Sequence, residues 1–568
     1  MERLEIKRIN GKAYYYCSEW GWENGKCRRL KQRYLGSSEK ILEMIKGENR
    51  QAQCVEAEVF QFGLPIALWN EVQTAQVTQL IDAKSQKRVK GLGVGTYLAI
   101  AAVNRAIEPV SKEAMWDWFS QTSLASRLPS IKSNDLTSQQ FWNNMDKVSP
   151  EDCAWIWKKI IAGVVGREQI DLSSISYDGT NYYTFIDTFN VRCAMAKRGK
   201  NKQGRSNLRQ VNYSLFCTAD GQMPLFYDVY DGNINDYTQF PVVLKRFQDF
   251  FQTLAHSEHL KEKTTLVFDK GNCSKDNFAK IDESGFYFVT SAKLDEHPEL
   301  ASILNNDERF VECAEDLDRT KAFRVRKEIH SKQRTVIVTY NANLFDAQWA
   351  TLQTDIDKAI HKLSNLSQKL NDQAVNRSTR GKKITEESVK KQCEEVLSRE
   401  YLKLVIMHTV SNKNGFPELS YNVVQDRLKT VSDTYLGKNL IVTNREGWTD
   451  DAIVRAYRSQ SMIEEVFKES KDRRYGTWWP QFHWTDSKIH VHALYCTIAL
   501  LLRAVMKRRV EKAGMKVSMK RLLSALGGIR EIVNIYGTQA KKRLEKVLSK
   551  MSDTQKDLAG ILGLSLQK

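Results

Sequence analysis

Residues 171–293 constrain the fold more than any other stretch of this chain. SSISYDGTNYYTF reads as a strand, and QVNYSLFCTADGQMPLFYDVY reads as a hairpin turned at Asp220-Gly221, a dipeptide that tolerates positive φ. A helical period follows in YTQFPVVLKRFQDFFQTLA. TTLVFDKG is then a continuous apolar strand, KDNFAKIDESG a short helix and FYFVTSAK another strand. Three strands in meander order, followed by alternating helix and strand, describe a mixed α/β sheet. Beyond residue 293 the rhythm breaks. After the strand RTVIVTYNA, apolar residues fall at Trp349, Leu352, Ile356, Ala359, Leu363, Leu366 and Leu370, the alternating 3-4 spacing of a coiled-coil seam. A polar, basic link (NDQAVNRSTRGKK) precedes a second helix with Val389, Cys393 and Val396 at matching spacing, so an antiparallel helical hairpin is expected. KNLIVTN then returns the chain to the sheet, and DAIVRAYRSQSMIEEVFKESK forms a helix after it.

The flanks divide the remainder. Residues 1–50 alternate aromatic and polar residues around a turn and read as a small β-rich unit. Residues 51–170 read as helical, with periodic apolar positions in GTYLAIAAVNRAI and CAWIWKKIIAGVV. The sheet's first part occupies 171–293, an inserted region 294–440, the second part of the sheet 441–505, and basic amphipathic helices 506–568. At roughly 150 residues per domain, 568 residues are enough for about four. Ten cysteines are scattered singly with no CxxC pair, which argues against a zinc ribbon or a disulfide framework and for a reducing cytosol. The opening MERLEIKRING lacks the apolar run of a signal peptide, and the apolar stretch Val491 to Val505 is interrupted by His492 and Arg503 and too short to span a bilayer. Secreted and membrane classes are therefore not expected.

Lys and Arg number 86 against 68 Asp and Glu, a formal net charge of +18. The surplus is localised: residues 1–50 carry +5, KRGKNKQGRSNLR at 197–209 carries +6, residues 501–568 carry +11, and the rest of the chain is net −4. Three basic segments on a near-neutral body suit a polyanion partner; solvated helix faces and a flexible loop are the alternative.

The segment 451–471 carries the chemistry. Tyr457, Glu464 and Lys471 lie seven residues apart, within about 20° of one direction on a helix, and Gln460 falls between them. Ile463, Val466, Phe467 and Ser470 form a neighbouring face able to pack on a sheet. A carboxylate in such a stripe can hold a metal, and the hydroxyl and ammonium can hold phosphate oxygens. A solvated face with ordinary side-chain pairing is the bland alternative.

YRSQSMIEEVFKESK resembles the Y-x2-R-x3-E-x6-K signature of the DDE transposases of the insertion-sequence-four-like group of bacterial insertion sequences. Tyr457, Glu464 and Lys471 match; Gln460 stands where that family carries Arg. The register selects Glu464 over Glu465. ISYDGTNYYTF is similar to the family's first catalytic strand and points to Asp178, while LVFDKGNCS resembles the strand end that delivers the second catalytic Asp, here Asp269. YDGNINDYTQF resembles the Gly-Asn-x-x-Asp segment, with Asn233 and Asp236 in the matching places, and SKIHVHALYCTIALLL resembles the following helix. YYYCSEWGWENGKCRRLKQRYLG also looks like the opening of many such enzymes. The 91 residues from Asp178 to Asp269 leave room for a hairpin and a crossover helix. The 195 from Asp269 to Glu464 are too many for a simple connection.

The resemblance implies an α/β fold: an RNase H-like mixed-sheet catalytic core with a large insertion domain, plus mainly helical N- and C-terminal regions. It implies Asp178, Asp269 and Glu464 as catalytic residues and ligands of two Mg²⁺ ions, with Mn²⁺ as a substitute. Hard cations prefer such oxygen ligands. The expected partner is double-stranded DNA, as transposon ends and target, bound by a homodimer in the bacterial cytoplasm at the nucleoid, with no membrane. Tyr457, Gln460, Lys468, Lys471, Arg473 and Arg474 are expected DNA contacts, as are Lys197, Arg198, Lys200, Lys202 and Arg205 of the basic loop. Trp478, Trp479 and Trp484 are base-stacking candidates, with a core or sheet-edge role as the alternative. End recognition is expected from the N-terminal unit and the helical region. A structure-specific nuclease and a domesticated DNA-binding protein without catalysis are the rival functions.

Overall fold

The computed structural model describes residues 2–23, 26–48, 54–85, 91–254, 263–376, 384–413, 415–479, 481–536 and 543–566. The chain forms two compact units. One comprises residues 1–67, 117–130 and 520–568; the other comprises 68–116 and 131–519.

In the first unit, β1 (Glu2–Ile9), β2 (Lys12–Glu23) and β3 (Lys26–Ser37) form an antiparallel meander, as the alternating N-terminal pattern predicts. The turn at Asn10-Gly11 has positive φ at both residues, the geometry that matches strand twist in a two-residue hairpin. A second sheet in this unit joins β4 (Cys54–Gln61) to β16 (Arg530–Tyr536) and β17 (Arg543–Leu548) in the order β17-β16-β4. The C-terminal region, expected to be wholly helical, thus contains two strands. REIVNIY alternates half-buried and buried residues, a period of two that the basic composition around it masks.

The second unit is built on one nine-stranded sheet. In chain order its strands are β5 (Ser174–Tyr183), β6 (Gln210–Thr218), β7 (Pro224–Asp231), β8 (Thr265–Phe268), β9 (Tyr287–Ala292), β10 (Val311–Glu312), β11 (Thr320–Ile329), β12 (Lys332–Asn341) and β15 (Lys438–Thr443). Their spatial order is β10-β11-β12-β15-β9-β8-β5-β6-β7. β5, β6 and β7 form the expected meander, and the positive φ values of its turn fall at Gly221 and Gln222, one residue beyond the Asp220-Gly221 dipeptide. β8 and β9 run parallel to β5 after crossover helices Asp236–Leu254 and Lys275–Ser284. Every residue of β6 and β8 is buried, as in strands covered on both faces.

Two boundaries differ from expectation. β10, β11 and β12 extend the main sheet instead of belonging to the insertion, because Val336, Ile337 and Val338 are fully buried only when β12 lies between β11 and β15. What projects from the sheet is the segment from helix Ala342–Asn376 to helix Gln425–Thr434. It includes helix Glu386–Val396 and the hairpin β13 (Ile406–Lys413) and β14 (Phe416–Val423). Leu352 through Leu370 of the predicted seam and Val389 and Cys393 of the second helix share its core, with Trp349 and Val396 packed against it. Residues 377–383 of the predicted link lie outside the described residues.

The predicted helical region 51–170 is not a separate domain either. Helix Val94–Ile107 is buried at every position but one and packs with helix Asp486–Lys512 inside the second unit. A helix apolar all round must be enclosed. Helix Asp486–Lys512 is long and apolar enough to cross a bilayer, but 89% of its apolar window is buried within the protein.

Candidate active site

The register of two parallel strands positions the first pair of carboxylates. Tyr177 of β5 lies beside Phe268 of β8. Asp178 is the next residue of β5 and Asp269 comes directly after the end of β8, close enough for its charge to act on the Asp178 carboxyl. Both line a cleft of about 460 Å³ with Asp236, Asn233 and Asn272. Asp178 accepts the Gly179 N–H at 2.7 Å. Burial pushes its carboxyl up to about 6; Lys202 and the Gly179 N–H oppose the shift, and Asp236 and Asp269 add to it. Gly179 lets the strand approach Asp236 closely, since a Cβ at this position would stand 3.0 Å from the Asp236 carboxyl carbon.

The basic loop folds into this cleft. Lys202 Nζ donates to the Gly179 carbonyl at 2.5 Å and lies 3.1 Å from Asp236 Oδ2, whose other oxygen accepts the Tyr230 hydroxyl at 2.8 Å. Asn181 of β5 clamps the loop: its Nδ2 donates to the Lys200 carbonyl, and its Oδ1 accepts the Lys202 N–H, both at 3.1 Å. Lys197 pairs with Asp231 at 2.5 Å, and Arg198 donates to Thr188. Lys200 and Arg205 are exposed. Asp236, noticed in the sequence only as part of a matching segment, is therefore a fourth polar member of the site. The Gly-Asn-x-x-Asp spacing was the signal for it.

The glutamate helix is two helices, Asp450–Arg458 and Gln460–Lys471, and Tyr457 belongs to the first. Tyr457 thus lies on the first helix, and Gln460, Glu464 and Lys471 lie on the second. Ser459 and Ser461 hydroxyls donate back to the Ala456 and Arg458 carbonyls, the competition with the helix ladder that bends helices. Gln460 is only 6% exposed and is not placed to touch DNA. Ile463, Val466, Phe467 and Ser470 are buried as predicted, and the Tyr182 hydroxyl of β5 meets Ser470 Oγ at 2.6 Å. Lys471 Nζ donates to Thr180 Oγ1 of β5. Burial and neighbouring Lys202 push its ammonium down to about 8, against the pull of Asp178 and Asp236.

Glu464 is exposed and lies outside the cleft lining. Its charge acts with that of Asp269 on the Tyr457 hydroxyl, which burial already raises. Glu465 acts instead on Glu469, a group facing Arg503 and Lys507. Glu464 thus stands on the Tyr457 side of the helix and Glu465 on the Glu469 side. Lys468, Arg473 and Arg474 are exposed, whereas Arg455 is paired with Asp316 at 2.6 Å.

The tryptophans divide. Trp478 is 2% exposed, stacked on Tyr182 with centroids 4.0 Å apart, and donates to Gln481, so it is a core residue and not a base platform. Trp479 is half-buried against Tyr183. Trp484 keeps 43% of its surface exposed and meets Trp142 edge-on.

The donor chemistry fits a hard cation. Two adjacent carboxylates face the cleft, buried Asn272 Oδ1 at its wall has no hydrogen-bond partner among the described residues, and the Lys202 ammonium holds a cationic position there. Among the described residues no three His, Cys, Asp or Glu side chains already converge on one point.

A family model described as a transposase DDE domain matches residues 178–502, more than half of the chain, beginning at Asp178 itself. No curated protein matches the chain. Among solved structures, the cryo-EM structure of a piggyBac transposase synaptic complex with hairpin DNA is similar at 8% identity. The match covers 83% of this chain and 82% of that one, at a TM-score of 0.33.

Proposed function

The chain belongs to the transposase DDE domain family, and from that premise we propose that it cuts DNA at the ends of its own insertion sequence and joins the 3′ ends to target DNA. Asp178, Asp269 and Glu464 are the catalytic carboxylates of this reading, within the insertion-sequence-four-like group. The observation that carries it is the placement of Asp178 on β5 and of Asp269 directly after the neighbouring parallel strand β8, both lining one cleft within the span of the family match. The order β7-β6-β5-β8-β9, an antiparallel meander extended by two strands parallel to β5, supports an RNase H-like core.

Asp178, Asp269 and Glu464 would hold divalent cations, Mg²⁺ or Mn²⁺. Two such ions supply charge neutralisation at a phosphodiester and activation of the attacking hydroxyl at neutral pH. The side chains divide the remaining work. Lys471, anchored on Thr180 beside Asp178, presents an ammonium to a backbone phosphate. Lys202 exchanges Asp236 for phosphate oxygens when DNA enters, which brings the basic loop onto the duplex. The Tyr457 hydroxyl, beside Ser291 and within reach of the charges of Asp269 and Glu464, orients one non-bridging oxygen. Lys200, Arg205, Lys468, Arg473 and Arg474 extend the electropositive margin, and two copies bring two ends together.

The test is cleavage of a duplex carrying the element's terminal inverted repeat with Mg²⁺. Asp178→Ala, Asp269→Ala and Glu464→Ala should each lower the rate by at least about 10³-fold, as loss of an electrostatic catalytic group does, while end binding persists. A Glu464→Ala protein that still cuts beside an inactive Glu465→Ala would overturn the assignment. Cutting without strand joining would identify a nuclease.

A further inference from the structure

Away from the carboxylates, the second unit buries cations. Lys112, 9% exposed, donates to Tyr495 Oη at 3.3 Å and lies over the Tyr495 and Phe141 rings. Among the described residues no carboxylate bonds to it. Arg105, 2% exposed, stands over the other part of the same tyrosine. His483 is 4% exposed; its Nε2 meets Tyr495 Oη at 3.2 Å, and its Nδ1 has no partner among the described residues. Lys112, Arg105 and Lys488 all hold His483 toward its neutral form, which burial already favours. These groups wall a cavity of about 170 Å³ together with the Ser111 and Ser138 hydroxyls and Trp142. Ser138 is the first residue of helix Ser138–Met145, whose Gln140 N–H is capped by Thr137 Oγ1.

Burial and neighbouring Arg105 push the Lys112 ammonium well below its usual range, and an anion in the cavity would favour its charged form. Carboxylates lie only at the rim: Glu113 is exposed, and the Lys488 ammonium is engaged with exposed Asp146. The cavity is smaller than the roughly 300–1,000 Å³ of small-molecule pockets, and hydroxyl donors and buried cations together suit one tetrahedral oxyanion. We propose that this pocket binds a phosphate group through Lys112, Arg105, His483 and the two serine hydroxyls.

The DNA backbone is the source that the transposase reading supplies, and on that point the inference rests on that reading. Tyr495 is linked to the active-site strand: His492 Nδ1 meets Tyr495 Oη at 2.5 Å, His492 Nε2 meets the Trp478 carbonyl at 2.9 Å, and Trp478 stacks on Tyr182, four residues along β5 from Asp178. Exposed Trp484 and Phe482 stand at the pocket's edge, where the neighbouring nucleoside can rest.

The experiment uses the full-length protein in two arms. In the first, thermal melting is followed while inorganic phosphate replaces chloride at constant ionic strength and pH. The wild type should show a saturable rise in Tm. Lys112→Met and Lys112→Gln should melt near the wild type in chloride and bind phosphate at least about tenfold more weakly, the loss expected for one charge-assisted hydrogen bond. In the second arm, DNA binding is measured by fluorescence anisotropy across salt concentrations. Lys112→Met should weaken binding and reduce the log–log salt slope by about one, and inorganic phosphate should compete with DNA in the wild type alone. An unchanged slope with the phosphate response lost identifies free phosphate as the occupant. Absence of a saturable response in the wild type, or its survival in both Lys112 variants, overturns the pocket. If no form of the protein binds DNA while the phosphate response still depends on Lys112, the transposase reading fails and the pocket stands.

Discussion

Asp178 is where stability and function pull against each other most directly. Its carboxyl, raised to about 6 chiefly by burial, binds a proton more readily in the folded than in the unfolded chain, whose ordinary value is 3.8. Between pH 4 and 6 the folded state therefore holds the extra proton. Stability falls as pH rises through that window, and the penalty is complete above it. Asp178→Asn should stabilise the metal-free protein by about 1–3 kcal/mol at pH 8 and by almost nothing at pH 4, measured as denaturant midpoints at both pH values. An equal effect at the two pH values would show that the carboxylate's charge is not the cause. Glu464 has no comparable burial to contend with, since it stands exposed on its helix.

Among the elements, the clearest separation is between the sheet and the segment inserted in it. β12 ends at Asn341 and β15 begins at Lys438, on adjacent antiparallel strands. The Asn341 N–H donates to the Gly437 carbonyl at 2.8 Å, so the segment leaves and re-enters the sheet at one point. It carries its own core, which includes Leu363 and Cys393 at 0% exposure. Replacing residues 343–436 with a short Asn-Gly turn should leave the sheet folded, read as a cooperative thermal transition and retained resistance of β5–β9 to limited proteolysis. Loss of the transition would mean that the sheet depends on the inserted core. Within that core, Leu363→Ala should cost about 2–5 kcal/mol. The bend at Ser459 illustrates the same scale: two serine hydroxyls divide one helical pattern, putting Tyr457 on the Asp269 side and Lys471 on β5.

At the scale of the molecule, the termini meet. β16 of the C-terminal region pairs with β4, from Arg530↔Gln61 to Tyr536↔Cys54. A chain ending at residue 519 would leave β4 without its partner, an open edge inviting aggregation. Such a truncation should lower soluble yield and expose residues 54–61 to proteases, whereas the nine-stranded sheet should still give a native-like melt. Protection of residues 54–61 in the truncated chain would contradict this pairing's importance. The net charge of +18 follows the same pattern, since one of the three basic segments lies in the cleft itself and its Lys202 already holds Asp236.

Local patterns determined much of this protein. The meander, the buried apolar stripe of helix Ala342–Asn376 and the buried face of the glutamate helix were all legible because each follows from periodicity within a few residues. The meeting of Asp178 and Asp269 at one cleft was half legible: Asp178 lies in one strand and Asp269 follows another, and only the parallel register brings them together. What tertiary structure alone decided involves partners distant in sequence. Gln460 and Trp478 carry polar or amphipathic side chains that suit a surface, yet both are buried. β16 hides within a basic stretch because its partner lies nearly 500 residues away. Lys112 and Arg105 read as ordinary surface cations until the packing of helix Asp486–Lys512 encloses them. Side-chain type and spacing specify what a segment can become, and burial, which depends on the rest of the chain, decides which of those possibilities it takes.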